Sequence, residues 1–304
     1  MKILLLGANG QVGFELARAL APLGEVHAAT RGGEHGVRVD LANPETLDAA
    51  LHSVAPDVVV NAAAYTAVDR AEDEANLAER ANHWALTVLG AWAARTGALV
   101  VHYSTDYVFD GAGNRPYRED DPTAPLGIYG SSKLAGEAAL RDSGCDHLIF
   151  RTAWVYAARG RNFLRTMLRL ARERDELRVV NDQRGAPTAA RLIAASTALA
   201  LARNLDSGNA LLGTYHLTAA GECSWYDFAS ALLQRAAAAG IIERVPQVVP
   251  IATSDYPTRA RRPAYSVLDT ARIRSAFGLN LPSWQSGLDD VIGELSAASV
   301  LLRK

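Results

Sequence analysis

The stretch that decides the fold is KILLLGANGQVGFELARAL, residues 2–20. It begins with a short, nearly unbroken apolar run over Lys2–Leu6, which suits a strand buried on both faces. Gly7, Gly10 and Gly13 follow with a G-x-x-G-x-x-G spacing, and helical spacing runs over Gln11–Ala21. A strand-to-helix turn needs glycine for tight geometry and for close approach of a pyrophosphate to the backbone. The helix N-terminus, with Gln11 and Val12 in its first turn, then offers free N–H groups and partial positive charge. The segment therefore reads as a dinucleotide-binding loop rather than a plain turn.

The same alternation continues outward. Apolar or β-branched runs recur at Val26–Thr30, Asp57–Val60, Leu99–Tyr103 and Leu148–Arg151. Between them lie stretches with helical spacing at Pro44–Ser53, Ala75–Thr96 and Tyr129–Arg141. Buried strands separated by helices predict an α/β fold, a doubly wound parallel sheet of Rossmann type. After about residue 155 the texture changes, with a helix expected over Asn162–Arg174, a strand at LRVV, and a capped helix from Ser224 with Asp227 three residues on. A loop, YPTRARRPAY, precedes a last helix from about Trp284. The expected division is a dinucleotide-binding domain of residues 1–155 plus about 181–223. A smaller α/β substrate-binding region of about 156–180 plus 224–304 completes it.

Bulk properties narrow the function. A net charge of -2 with scattered Lys and Arg offers no footprint for nucleic acid or for an anionic membrane. The apolar start is cut off by Gly7, too short for a signal peptide, and LIAASTALALA from Leu192 falls short of a membrane span. Cys145 and Cys223 match no metal or redox spacing and read as buried small residues in a reducing compartment. A soluble, cytoplasmic protein is expected.

Further positions fall where such a sheet binds its ligand. The second strand normally ends in an acid that holds the adenosine ribose, but here it ends in Thr30 and Arg31. An arginine there can meet a 2′-phosphate, which points to NADPH with NADH still possible; the alternative is a solvated loop arginine. Asp40 and Leu41 follow a short apolar run, as adenine contacts or as a helix N-terminal turn. NAAAYT, with Ala63, Ala64 and Tyr65, ends the third long strand in small residues that leave backbone open to a flat ring. A small-residue core is the other explanation.

The fourth long strand, ALVVHYSTDYVFDG, puts Ser104, Thr105 and Asp106 at its carboxyl end. IYGSSKLAGE then sets Tyr129 and Lys133 one turn apart on a helix face. Together these form a Ser/Thr–Tyr–Lys set. Reducing a ketone needs an acid that protonates the oxygen as hydride arrives at carbon. A phenol is a weak acid with a pKa near 10, yet a cation about 4 Å away is worth roughly 4 kcal/mol, about three pKa units. Lys133 is expected to supply that charge and Thr105 to hydrogen-bond the substrate oxygen.

GANGQVG, DL at 40–41, NAAAYTAVD, HYSTDYVFDG, YGSSKLAGE, RTAWVY at 151–156, NDQRGAPT at 181–188 and RARRP at 259–263 occur in this order. Together they resemble the extended short-chain dehydrogenase/reductases, and within them the dTDP-4-dehydrorhamnose reductases, over nearly the whole chain. The resemblance implies NADPH- or NADH-dependent reduction of the 4-keto group of a dTDP-6-deoxyhexulose to dTDP-L-rhamnose, the last step toward a cell-surface sugar donor. It places the family's catalytic threonine, tyrosine and lysine at Thr105, Tyr129 and Lys133, the lysine also touching the nicotinamide ribose. Asp106 and Trp154 fall at substrate-contacting positions, although a tryptophan just past a strand is otherwise a core residue. Asn162 and Arg262 are further candidates for the nucleotide sugar, while Gln183–Thr188 are expected to shape a loop. Some relatives bind magnesium at a dimer contact through acids. Glu15 and Glu294 fall at such places here, but Arg191 replaces the glutamate, which argues against a metal and leaves monomer or homodimer open.

Other functions compete. A 4,6-dehydratase of this superfamily carries Asp–Glu after its threonine, whereas Asp106 is followed by Tyr107. An epimerase is excluded less firmly. A non-catalytic NADP-binding regulatory subunit would have no need of an intact Thr105–Tyr129–Lys133 set.

Overall fold

A computed structural model describes residues 1–34 and 36–301. Seven parallel strands form its main sheet: β1 (Lys2–Leu6), β2 (Glu25–Thr30), β3 (Val37–Arg38), β4 (Val58–Asn61), β5 (Leu99–Thr105), β6 (His147–Thr152) and, much later, β11 (Gly213–His216). Their order is β11-β6-β5-β4-β1-β2-β3. The chain winds outward from β1 through β2 to β3, then returns to β4 and winds the other way. Strand order reverses between β1 and β4, so the crevice above their carboxyl ends is the topological switch point. The doubly wound parallel sheet expected from the alternation is present.

Successive side chains of a strand point to opposite faces, and β1 shows the consequence. Ile3 and Leu5 enter one core with α1 (Gln11–Ala19) and α8 (Ala190–Asp206). Leu4 and Leu6 enter the other, with α2 (Pro44–Val54), α5 (Ala85–Thr96) and α6 (Ile128–Asp142). The single helix expected over residues 75–96 proves to be three pieces. After the short α3 (Val68–Ala71), α4 (Ala75–Glu79) passes through a π turn at Arg80–Trp84 into α5.

A third core lies in the later part of the chain. It joins α7 (Phe163–Glu173), α9 (Trp225–Ala238) and α11 (Trp284–Leu301) to the parallel pair β8 (Glu176–Val180) and β13 (Gln247–Ile251). Short pairs stitch this region to the sheet. β7 (Val155–Tyr156) pairs with β10 (Thr188–Ala189), and β9 (Arg184–Gly185) with β12 (Cys223–Ser224). Within Gln183–Thr188, expected as a loop, Arg184–Gly185 and Thr188 are drawn into these short pairs, and the expected Ser224–Asp227 capping box starts α9. One helix departs from the expected division. α10 (Ala271–Phe277) puts Ile273 and Phe277 into the sheet's core, because their large apolar side chains cover the α8 face rather than the third core. Both cysteines are buried and free. Among the described residues no helix is long and apolar enough to cross a membrane.

Helix α6 lies unusually close to its neighbours. A Cβ on Gly136 would stand 2.1 Å from the Asn82 carbonyl oxygen, and one on Gly130 2.2 Å from that of Tyr107. Gly136→Ala is therefore expected to cost about 1–3 kcal/mol, typical of overpacking, and to lower the urea midpoint of unfolding without changing the slope. An unchanged midpoint would show that α6 moves away at no cost.

Candidate active site

The glycine loop is built as its spacing requires. Gly7 has φ +78°, and a Cβ on it would lie 2.8 Å from Ala63 N in the loop after β4. A Cβ on Gly13 would come within 2.1 Å of the Gly7 carbonyl oxygen. These contacts press the start of α1 against the ends of β1 and β4. Gly10 is the N-cap of α1, and no side chain caps that end. The amides of Gln11 and Val12 therefore stand at an uncovered helix N-terminus, a geometry that accepts a pyrophosphate. The residues fit a dinucleotide here, and Ala63, Ala64 and Tyr65 border the same crevice, half-buried.

The adenosine end differs from expectation. Thr30 is buried, and its hydroxyl bonds the Glu34 carboxylate and accepts the Gly33 amide at 3.0 Å. Its polar atom is thus already used within the turn. Arg31 is exposed. A carboxylate does stand beside the end of β2, carried by Glu34 on the loop after the strand. Asp40 accepts from the Ala42 amide at 3.1 Å, as the turn before α2, and Leu41 is buried in the second core. That core burial leaves Leu41 little face for an adenine ring.

The candidate reacting groups lie at the carboxyl end of β5 and on α6. Ser104, Thr105 and Asp106 are all buried there. The Thr105 hydroxyl donates to Asp106 Oδ1 at 2.9 Å, accepts the Tyr107 amide at 3.2 Å and bonds the Tyr129 phenol. Asp106 Oδ2 is buried with no partner among the protein's atoms, an orphan acceptor suited to a substrate hydroxyl. Burial raises the Asp106 carboxyl to about 6, against hydrogen bonds from Ser266 and Thr105. The small residues of YGSSK now have a reason. Gly130 clears the Tyr107 carbonyl, and Ser132 sits beneath Asn82, accepting from its Nδ2 at 3.0 Å. The Glu72 carboxylate accepts the Ile128 amide at 2.9 Å and so caps the start of α6.

One expected interaction is corrected. The Lys133 side chain does not point its nitrogen at the Tyr129 phenol: that end is turned inward, donating to the Tyr103 carbonyl at 2.6 Å and lying 3.1 Å from His102 Nε2. Burial accordingly pushes the phenol above its ordinary value, opposed by the Thr105 hydrogen bond. Burial lowers Lys133 to about 7, and Glu137 pulls weakly the other way. Buried polar groups bond the nearest acceptor available, and here that is the strand backbone.

The remaining candidates separate. Trp154 takes a left-handed backbone, φ +48°, and stacks on Trp225 with centroids 3.5 Å apart and planes 3° from parallel. Phe163 packs beside Trp225 at 4.6 Å. Such a backbone is uncommon for a bulky residue, and here it presents a half-buried aromatic wall. Asn162 is the N-cap of α7 and donates to Gln11 Oε1 at 2.7 Å, so its amide is engaged in joining the two regions rather than free for a sugar. Arg262 donates to Asp69 at 2.7 Å and to the Tyr107 hydroxyl at 3.2 Å, at the rim of the site. Tyr107 in turn packs edge-on against Tyr129. Arg191 lies 2.8 Å from Glu294 and 3.6 Å from Glu15, between the two acids. Among the described residues no cluster of three His, Cys, Asp or Glu could hold a metal.

Sequence reading missed several members. Asn82 clamps Tyr65, accepting its amide at 2.8 Å and donating to its carbonyl at 3.0 Å. A polar residue inside an alanine-rich helix was the signal. Trp225 and Glu34 become visible only when distant or looped chain is brought together. The ion pair of Glu137 with Arg151, at 2.7 and 2.9 Å, is likewise tertiary.

A glycine-cradled crevice at a switch point of a doubly wound parallel sheet defines a Rossmann-type dinucleotide-binding fold. Residues 1–297 match the family described as RmlD substrate binding domain. The chain is 53% identical over 290 residues to a dTDP-4-dehydrorhamnose reductase of Burkholderia thailandensis, covering 94% of this chain and 96% of that one. Its fold resembles the crystal structure of a dTDP-4-dehydrorhamnose reductase from Clostridium acetobutylicum, with TM-score 0.86, 36% identity and coverage of 97% and 99%. The Bacillus anthracis dTDP-4-dehydrorhamnose reductase, solved in complex with NADP, follows at TM-score 0.85, 33% identity and coverage of 96% and 99%. The chain belongs to the dTDP-4-dehydrorhamnose reductase family.

Arg31→Ala is expected to raise KM for NADPH about five- to thirtyfold, the discounted worth of an exposed charge contact, and to leave NADH nearly unchanged. Equal effects on both cofactors would reduce Arg31 to a loop residue.

Proposed function

We propose that this chain reduces the 4-keto group of dTDP-6-deoxy-L-lyxo-4-hexulose to dTDP-L-rhamnose with NADPH, Tyr129 giving the proton. The observation that carries this reading is that Thr105 at the end of β5, followed by Tyr129 and Lys133 one turn apart on α6, lies at the same end of the parallel sheet as the glycine loop after β1. The named activity of the family's members and the NADP complex of one of them support it. The nicotinamide, when bound, supplies the hydride. Thr105 orients the ketone oxygen toward the phenol, and Asp106 Oδ2 takes a hydrogen bond from a neighbouring hydroxyl of the sugar. Trp154, held flat by Trp225, walls the far side. Proton transfer leaves a phenolate where burial disfavours charge, and Lys133, on the same helix face, is the cation that offsets it. Tyr107 in place of a second acid leaves no partner for eliminating water, which separates this site from a dehydratase.

The same reading makes the protein a cytoplasmic enzyme of nucleotide-sugar metabolism. It assigns residues 156–180 and most of 224–304 to substrate binding, and it needs no magnesium, because Arg191 already neutralises Glu15 and Glu294.

The deciding experiment mixes protein, NADPH and the 4-keto sugar nucleotide and follows absorbance of the reduced nicotinamide. No consumption by folded protein rejects the reading. Tyr129→Phe should lower kcat about 10²–10⁴-fold with cofactor binding nearly intact. More than a tenth of the activity remaining would assign the acid elsewhere. A chelator should leave the rate unchanged, and a loss restored by magnesium would contradict the role given to Arg191.

A further inference from the structure

Beneath the reacting groups runs a buried polar chain that this mechanism does not use. Asn61 ends β4 and faces His102 of β5 in register, and both are fully buried. The Ala63 amide donates to Asn61 Oδ1 at 3.1 Å, which fixes the orientation of the carboxamide. Its Nδ2 group therefore faces His102 Nδ1 at 3.2 Å as a donor. Nδ1 must accept, so the neutral ring carries its proton on Nε2. That nitrogen lies 3.1 Å from Lys133 Nζ. An N–H there requires a lone pair opposite, and lysine has one only as the uncharged amine. Lys133 meets the requirement while still donating to the Tyr103 carbonyl. The opposite assignment fails at one joint however it is drawn. An ammonium donating to Nε2 sets a proton on Nδ1 against the Asn61 amide hydrogens, and turning that amide sets them against the Ala63 N–H.

We propose that Asn61 and His102 are positioning residues for the reduction: the amide locks the imidazole as its Nε2–H tautomer, and the imidazole holds Lys133 as a neutral hydrogen-bond acceptor. The pair thereby sets the pH at which the lysine becomes the cation that Tyr129 needs. This last link rests on the reductase reading; the lock itself does not.

Surrounding charges leave the assignment standing. Glu137, one turn on along α6, favours the ammonium, but Arg151 of β6 and Arg141 engage both its oxygens. Asp106 and Tyr107, from the turn after β5, act on Tyr129. The π turn presents the uncharged Asn82 to Ser132. Burial, the largest cause for each, lowers His102 well below its ordinary range and Lys133 to about 7. A base so depressed is charged below that pH and neutral above it.

Histidine ¹⁵N spectra of the wild-type protein, with His102 assigned by the signals that His102→Gln removes, test the lock directly. A pyridine-type Nδ1 and a pyrrole-type Nε2 are expected a unit or more above pH 7, where Lys133 is uncharged; the reverse pattern there overturns it. Asn61→Asp keeps the acceptor for Ala63 but also accepts from the ring, and should invert the two signals. In the wild type, kcat/KM for NADPH should fall as pH rises through about 7. The limb should move up by about one unit or more in Asn61→Asp and in His102→Gln, whose amide oxygen can accept from an ammonium. That shift is a tenfold gain over wild type on the alkaline side, relative to each enzyme's plateau. A merely structural role lowers the rate alike at every pH, so an unmoved limb in both folded variants overturns the proposal. If the tautomer is as expected but no cofactor is consumed at any pH, the reductase reading fails and the lock stands.

Discussion

The close seating of α6 against β5, β6 and the π turn is the constraint on which the site depends. Tyr129 and Lys133 reach the carboxyl end of β5 only because Gly130 and Gly136 let the helix touch two carbonyl oxygens without a side chain between. Arg151 then holds it from the sheet through two hydrogen bonds to Glu137. Burial works against the Glu137 charge, but the guanidinium's hydrogen bonds and charge outweigh it and keep the carboxyl below its usual range. Apolar contact alone would not set the helix's register along the strand; a bidentate pair does.

With α6 in place, the chemistry follows from desolvation. Thr105, Asp106 and Lys133 are all nearly inaccessible. Burial raises the phenol and the Asp106 carboxyl and lowers the lysine, so each group is moved toward its neutral form. A site in that condition is primed for charge that appears only during reaction. The π turn contributes here as well. Its widened backbone turns Asn82 inward, where one amide bridges the Tyr65 backbone and Ser132 and so ties the loop after β4 to α6.

The later region is joined to this machinery at two points. Asn162 caps α7 and reaches Gln11 in the glycine loop. Arg262 and Arg259 bind Asp69 and Asp73, which tether the RARRP loop beside the site. The Trp154–Trp225 stack completes a wall whose flatness comes from two residues far apart in sequence. The region is thus held to the sheet by polar ties at its rim, with aromatic faces within.

Local pattern alone determined five of the sheet's seven strands, the glycine loop, the capping box at Ser224 and the placing of Tyr129 and Lys133 on one helix face. Each depends on periodicity or spacing over a dozen residues or fewer. Tertiary structure decided where charge goes. Lys133 pairs with a strand carbonyl and His102 rather than with the phenol, since inside a low-dielectric core the nearest acceptor wins. Glu34 folds back onto Thr30, so an acid stands at a strand end whose sequence shows none. Asn162 and Arg262 carry polarity that suits a ligand, yet both are engaged by partners distant in sequence. Spacing along a chain fixes which side chains share a face, whereas hydrogen-bond partners in a desolvated interior are chosen by whatever the fold brings within 3 Å or so.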